Sequence, residues 1–490
     1  MYVIGIDIGT SSTKGVLIDS HMNVMAQKSI SHTIERPQAG WAEQDAELWW
    51  RETVTIIKSL LTQSQVHPSS IKAIGCSGLC PVIVPIDKDG NSLRQAILYS
   101  IDTRATTEIE EMKQIFGEQY ILEDSGHPLS YQAVLPKMMW VKKNEPDVWK
   151  DATSFLGATG FVNYRLSGKT SIDHFTAADG GLGYSIKAQK WNKDVFKQLN
   201  IDEGLLPDIY WPYEEIGTLT KEAAQLTGLV EGISIIAGTG DALSEMISTG
   251  VSNVGETSLL YGSTLTTMSI INDYWFHEGF ITVPGWKDGQ VVTSAVLGSG
   301  MSSFTWLSHL LGKENNIELF NELEPQVGEI QDSNHNIIFL PYLTGLRSPE
   351  INPLMKGTIV GINQAHTSPY MFKALMEGLG FALNYILEKL DVIEVESVHA
   401  VGGGVNSKTL LQTVSHICGI DQKVIKGHVG APLGSAWLAG YGIQMFSENS
   451  YKYLIEIGQV ISWDESIRER YNKSYQRFVN LKNTIEQYYI

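Results

Sequence analysis

One pattern occurs twice in this chain and restricts its fold more than any other: an apolar run, a turn of glycine and hydroxyl residues, and a second apolar run. At the start, residues 2–8 are apolar apart from Gly5 and Asp7, and the loop Gly9, Thr10, Ser11, Ser12, Thr13 and Lys14 follows. Val16, Leu17 and Ile18 then resume the apolar character. Near the middle, residues 255–271 repeat the plan, with Gly262, Ser263 and Thr264 at the turn. Each segment reads as a β-hairpin, because β-rich runs joined by a Gly-rich turn pair most simply with each other. Two similar hairpins heading two halves of a chain point to a duplicated architecture.

The first hairpin tip offers backbone N–H groups, hydroxyls and the Lys14 ammonium, donors suited to a polyanion such as a triphosphate. Asp7, at the strand end, is a candidate metal ligand, since Mg²⁺ takes oxygen ligands and keeps several waters. The loop is not of the Walker type: the glycine before the lysine is missing and a strand, not a helix, follows. An ordinary polar turn has the same residue types, so this segment alone leaves both readings open.

Elsewhere, strand-like runs (71–76, 82–86, 233–237, 258–261, 290–293, 337–340 and 398–401) alternate with helix-like stretches (46–61, 103–116, 134–143, 369–390 and 408–418). That alternation is the signature of an α/β protein. The chain has 490 residues, 43% apolar and 18% charged, enough for two domains with well-buried cores. A net charge of −18 argues against nucleic acid or an anionic membrane as the main partner. The three cysteines, Cys76, Cys80 and Cys418, form neither a disulfide framework nor a zinc spacing and read as core thiols. No apolar run reaches the ~18 residues of a membrane span, and no leader-like segment opens the chain, so a cytoplasmic protein is expected.

Three further segments carry chemistry. In Ile235-Ile236-Ala237-Gly238-Thr239-Gly240-Asp241-Ala242 an apolar strand runs into a Gly-rich turn that presents one carboxylate. A carboxylate so placed can take a proton from a substrate hydroxyl; equally, a turn aspartate can bond its own backbone. In residues 398–407 a strand ends in Gly402, Gly403 and Gly404, followed by Asn406, Ser407 and a helix, a place where a ring or ribose can approach backbone closely. Residues 430–436, Gly-Ala-Pro-Leu-Gly-Ser-Ala, are small enough for close helix packing.

Taken in order, these segments resemble the FGGY carbohydrate kinases, whose members include xylulose, glycerol and gluconate kinases. Residues 7–14 look like that family's first phosphate loop. Gly40-Trp41-Ala42-Glu43-Gln44-Asp45 resembles its Gly-Trp-x-Glu-Gln-Asp segment, and Pro136-Lys137-Met138-Met139-Trp140 its Pro-Lys-x-x-Trp signature. The resemblance implies an α/β fold of two ribonuclease-H/actin-like domains flanking a catalytic cleft. Residues 1–245 would bind sugar and carry the first phosphate loop and catalytic acid; residues 246–490 would carry the second phosphate turn and adenosine loop. It implies ATP and Mg²⁺, with Gly9, Thr10, Ser11, Ser12, Lys14, Gly262, Ser263, Thr264, Gly403, Gly404, Asn406 and Ser407 on the nucleotide. Asp241 would be the catalytic base, and Asp7 and Asp241 the metal ligands. The partners implied are a small sugar and ATP, and the resemblance admits a homodimer.

The sugar-facing positions depart from the relatives. Where xylulose kinases carry Ser-Gly-Gln-Met-His, this chain has Ser77-Gly78-Leu79-Cys80-Pro81, and Ala242 replaces the asparagine after the catalytic acid. The family's Trp-x-Asp-x-Arg appears as Tyr99-Ser100-Ile101-Asp102-Thr103-Arg104, altered and one residue longer. Cys80, Pro81, Asp102, Asp241 and Ala242 are thus the expected substrate positions. Losing a buried donor costs on the order of 1–3 kcal/mol, enough to change which sugar is preferred. The expected activity is ATP-dependent phosphorylation of a ketose such as xylulose, with a sugar acid such as gluconate or a polyol as the alternative within the family. A nucleotide-gated module of the actin or Hsp70 kind is the alternative of a different class.

Overall fold

The computed structural model describes residues 1–328, 330 and 336–489. The chain divides into two compact units: Met1–Gly250 with Thr282–Val291 and Val429–Leu454, and Val251–Ile281 with Val292–His428 and Ile455–Ile490. Each is a mixed α/β layer structure.

The first unit is built on strands β1 (Tyr2–Ile8), β2 (Ser12–Asp19), β3 (Val24–Ser31), β4 (Ile71–Gly78), β5 (Glu215–Thr218) and β6 (Ser234–Ile236). They run in the order β5-β6-β4-β1-β2-β3, with the two-residue β7 (Thr239–Gly240) beside β4. The opening segment is the expected hairpin, β1 antiparallel to β2. β4 is parallel to β1 and to β6. Every apolar position of β1 from Val3 to Ile8 is fully buried, as a central strand covered on both faces requires. Helix α1 (Ala46–Ser64) starts where Asp45 accepts a hydrogen bond from Glu47 N–H. Its inward stripe of Trp49, Thr53, Ile56, Ile57 and Leu60 follows the 3.6-residue period.

On another face of the sheet lies the helix Ala431–Gly442. Its small residues meet the glycines of two strands: a Cβ placed on Gly5 would stand 1.9 Å from the Pro432 carbonyl oxygen, and one on Gly75 would stand 2.3 Å from that of Ser435. The backbones touch because neither strand has a side chain there.

In the second unit, strands β8 (Glu256–Tyr261), β9 (Leu265–Ile271), β10 (Val291–Leu297), β11 (Ser397–Val401), β12 (Gln422–Lys426) and β13 (Glu456–Ile461) run in the order β10-β9-β8-β11-β12-β13. The hairpin β8–β9 and the parallel neighbour β11 repeat the arrangement of β1–β2 and β4. The sequence echo at residues 255–271 is therefore a repeat of position within a sheet. Helix α2 (Ser368–Lys389) is buried along most of its length and packs against α3 (Lys408–Cys418).

Candidate active site

The residues singled out in the sequence fall into two groups, one in each unit. In the first unit, strand register does the assembling. Asp7 on β1 lies opposite Lys14 on β2 and Ser77 on β4, and Ser77 in turn lies opposite Thr239 on β7. Asp241 follows β7 directly and begins the helix Asp241–Ser248 at this edge. The strand ends thus bring together residues from three distant parts of the chain.

The loop between β1 and β2 is held by its carbonyls. Gly9 O contacts His32 Nε2 at 2.9 Å, Gln44 Nε2 donates to Thr10 O at 2.7 Å, His32 N–H donates to Ser11 O at 2.9 Å, and Gly9 N–H donates to Ser12 O at 2.9 Å. With these carbonyls engaged by protein, the loop is held in one conformation. The signature segments support it from behind. Trp49 Nε1–H donates to Gln44 Oε1 at 3.1 Å, and the Thr10 hydroxyl meets the Tyr99 hydroxyl at 2.9 Å. Lys137, buried, donates to the carbonyls of Leu98 and Tyr99 at 2.6 and 3.2 Å, and its burial pulls the ammonium down to about 7. Trp41 and Trp140 enclose the Arg104 guanidinium, 3.9 and 5.0 Å from their ring centroids, so both are packing residues.

The acids of this edge are costly to keep ionised. Burial raises the Asp7 carboxyl from 3.8 to about 6, against the opposing pull of Lys14 and the Ser77 hydroxyl, which donates to Asp7 Oδ1 at 2.9 Å. Asp241 is pushed well above the ordinary range by burial and then by the charge of Asp7, although Ala242 N–H donates to its Oδ1 at 2.8 Å. Glu245, one helical turn on, is raised by burial and drawn back by Lys14.

A stability prediction follows from Asp7. Its carboxyl is raised in the folded protein, so the penalty for ionising it is fully present above about pH 6 and fades as the pH falls through 6 toward 3.8. Asp7→Asn is expected to stabilise the ligand-free protein near pH 7.5 by at most about 3 kcal/mol, with less gain near pH 5. Urea unfolding at both pH values checks this, and an equal or negative change at both would exclude it.

Among the described residues no group of three or more His, Cys, Asp or Glu side chains is placed to hold a metal. Two mutually repelling carboxylates, Asp7, buried, and Asp241, half-buried, nonetheless suit a hard divalent cation that draws its other oxygens from water and phosphate.

Of the expected substrate positions, Cys80 and Asp241 meet: the Cys80 Sγ lies 3.6 Å from Asp179 Oδ2 and 4.0 Å from Asp241 Oδ1. Pro81 follows Cys80 through a cis peptide, and Ala242 is exposed. Asp102 does not fit the expectation of a sugar contact. Its side chain is wholly buried, Oδ1 accepts from Arg104 N–H and Nε, and Oδ2 accepts from Ala42 N–H and Arg104 Nη2. Both oxygens are committed to protein, so Asp102 anchors the Gly-Trp-x-Glu-Gln-Asp segment.

Two acids went unnoticed in the sequence. Asp173 Oδ2 accepts from the Thr239 hydroxyl at 2.7 Å, tying the turn before Asp241, and burial raises its carboxyl to about 6. Asp179 Oδ2 also accepts from Gln132 Nε2 at 3.2 Å, and burial raises its carboxyl. The Asp-Gly-Gly at 179–181 was a usable signal, being an acid at the head of a glycine turn.

In the second unit, a cavity of about 460 Å³ gathers Gly262, Ser263, Gly403, Gly404, Asn406 and Ser407. Its turn is pinned like the first: Ser263 O accepts from Gly300 N–H, Ser302 N–H and the Ser302 hydroxyl. Met301, Ile317 and Phe320 supply apolar walls, and Asn316 and Glu324 polar ones. Thr264 does not line this cavity; its hydroxyl meets that of Thr266 at 3.3 Å. The Ser407 hydroxyl caps α3 through Leu410 N–H and donates to Glu324 Oε1 at 2.7 Å. The wall helix, Asn316–Val327, was missed although Asn315 and Glu318 mark its start.

The N-terminal domain model of the FGGY family of carbohydrate kinases matches residues 2–248, and the C-terminal domain model matches residues 264–443. The chain belongs to the FGGY family of carbohydrate kinases. It is 29% identical to a xylulose kinase of Bacillus subtilis over 91% of this chain and 89% of that protein. Its fold is that of a xylulose kinase from Rhodospirillum rubrum, at TM-score 0.93, 24% identity and full coverage of both chains. It is equally that of a gluconate kinase from Lactobacillus acidophilus, at TM-score 0.92 and 23% identity, covering 100% of this chain and 99% of the other. This FGGY protein is accordingly an ATP-dependent sugar phosphotransferase. Among its described residues no helix is long and apolar enough to cross a membrane.

Proposed function

We propose that this kinase phosphorylates a hydroxyl of a neutral ketose, with a xylulose-like pentulose as its substrate, and that Asp241 is the general base. The observation carrying the assignment of the base is the placement of Asp241, a half-buried acid with a raised carboxyl at the strand edge that also holds Asp7 and the pinned loop. A raised carboxyl is a better proton acceptor near neutral pH than an ordinary one. The choice of xylulose rests on similarity to proteins named xylulose kinase.

In the reaction the sugar oxygen forms a bond to the γ-phosphorus as the bond from that phosphorus to the ADP oxygen breaks, and the hydroxyl proton passes to Asp241. Positioning and charge neutralisation dominate such a transfer. Lys14 and the loop from Gly9 to Ser12 stabilise charge on the transferring phosphoryl oxygens. Asp7 and Asp241 would hold Mg²⁺, which supplies neutralisation of phosphate charge. Gly262, Ser263, Gly403, Gly404 and Asn406 bind the rest of the nucleotide.

A panel of pentuloses, hexuloses, polyols and sugar acids assayed for ADP release with ATP and Mg²⁺ tests the reading. A ketose, xylulose foremost, is expected to give the highest kcat/KM. Hydrolysis of ATP indifferent to every sugar would instead indicate a nucleotide-gated module.

A further inference from the structure

Asp179 ends the short helix His174–Asp179 and is 6% exposed. A carboxylate there is poorly placed for stability, since the C-terminal end of a helix disfavours negative charge and burial disfavours it further. Among the described residues it has no ion pair. Its Oδ2 accepts from Gln132 Nε2 at 3.2 Å and from the Cys80 thiol at 3.6 Å, while none of the described residues donates to Oδ1. The basic side chains close by are held by backbone: Lys137 donates to the carbonyls of Leu98 and Tyr99, and the His127 ring contacts the carbonyls of Ala178 and Pro128. Oδ1 is not sealed among the buried atoms that lack a partner, so it stays open to a donor from solvent or a bound ligand.

The position of that acceptor is informative. One sulfur atom, Cys80 Sγ, contacts the carboxylates of both Asp179 and Asp241. A sugar whose reacting hydroxyl faces Asp241 therefore has a neighbouring hydroxyl within the reach of Asp179. We propose that Asp179 is a substrate-contacting, specificity-determining residue that accepts a hydrogen bond from a second hydroxyl of a neutral polyhydroxy substrate and turns away sugars bearing a carboxylate. This rests on the reading of Asp241 as the base that faces the acceptor sugar. Selection comes from sign as well as shape, because an acidic sugar would bring like charge beside two carboxylates while the nearby Lys137 is held by the carbonyls of Leu98 and Tyr99.

The test compares wild type with Asp179→Asn and Asp179→Ser in the full chain, using xylulose, xylitol and gluconate with ATP and Mg²⁺. A hydrogen bond to a charged group is worth about 10- to 100-fold in affinity. The expected result is a KM for xylulose raised by about that factor in Asp179→Asn, with KM for ATP nearly unchanged and the thermal midpoint not lowered. The preference for xylulose over gluconate should narrow in both variants. A KM for xylulose within about 2-fold of wild type in both variants overturns the proposal while leaving the kinase reading intact, as does wild-type turnover of gluconate equal to that of xylulose. Should wild type turn over no sugar, the reading of Asp241 falls, and calorimetric titration with xylulose alone decides the role of Asp179: equal affinity in wild type and variants overturns it.

Discussion

Asp241→Asn is expected to lower turnover by ~10²-fold or more, the lower part of the range for loss of a general base, while KM for ATP stays near the wild-type value. Asparagine keeps the shape of the side chain and can still accept from Ala242 N–H, the contact Asp241 makes at 2.8 Å. What it lacks is a proton-accepting oxygen. Because burial and the charge of Asp7 raise the Asp241 carboxyl, wild-type kcat should fall as the pH drops through that raised value, where the base becomes protonated. In the variant this acidic limb should vanish. Steady-state kinetics against pH with a saturating sugar provide both readings, and near-normal turnover in the variant would remove Asp241 as the base.

The second large effect concerns folding. Gly5→Ala is expected to destabilise the protein by about 4 kcal/mol or more, beyond ordinary overpacking, because no side-chain rotation can make room. Its Cβ would lie 1.9 Å from the Pro432 carbonyl oxygen and 2.6 Å from the Ala436 backbone nitrogen. Strand β1 cannot retreat, since it is hydrogen-bonded on both sides, to β2 and to β4. Asp7 lies on the same strand two residues further on, so any shift that relieved the clash would also misplace that carboxylate. Gly328→Ala is the control: its backbone is helical, with φ −62°, and an added Cβ meets nothing within 4 Å. Soluble yield and the midpoint of the first unfolding transition report the difference, and equal midpoints for the two variants would refute the clash.

Local chemistry was the legible part of this chain. The hairpins, the helix over Lys408–Cys418 and the acid after Gly240 were all visible in the sequence, because turn residues and periodicity act over a few positions. Helix Glu465–Glu486 was not, since its buried side, Tyr471, Ser474, Tyr475, Phe478 and Lys482, has too few apolar residues to stand out. Asp102 was legible as an acid but not as a structural one. Its role depends on Arg104 and on Ala42, 60 residues away in sequence.

The sequence by itself determined the duplicated hairpin plan, the α/β class and the family, because these rest on short-range patterns repeated in order along the chain. Only the tertiary structure decided which acids meet. Cys80 reaches Asp179 across 99 residues and Asp241 across 161, and no periodicity encodes such an encounter. The physical reason lies in the sheet: parallel register brings the ends of β1, β4 and β7 to one edge, and burial there shifts proton affinities that every isolated residue would lack.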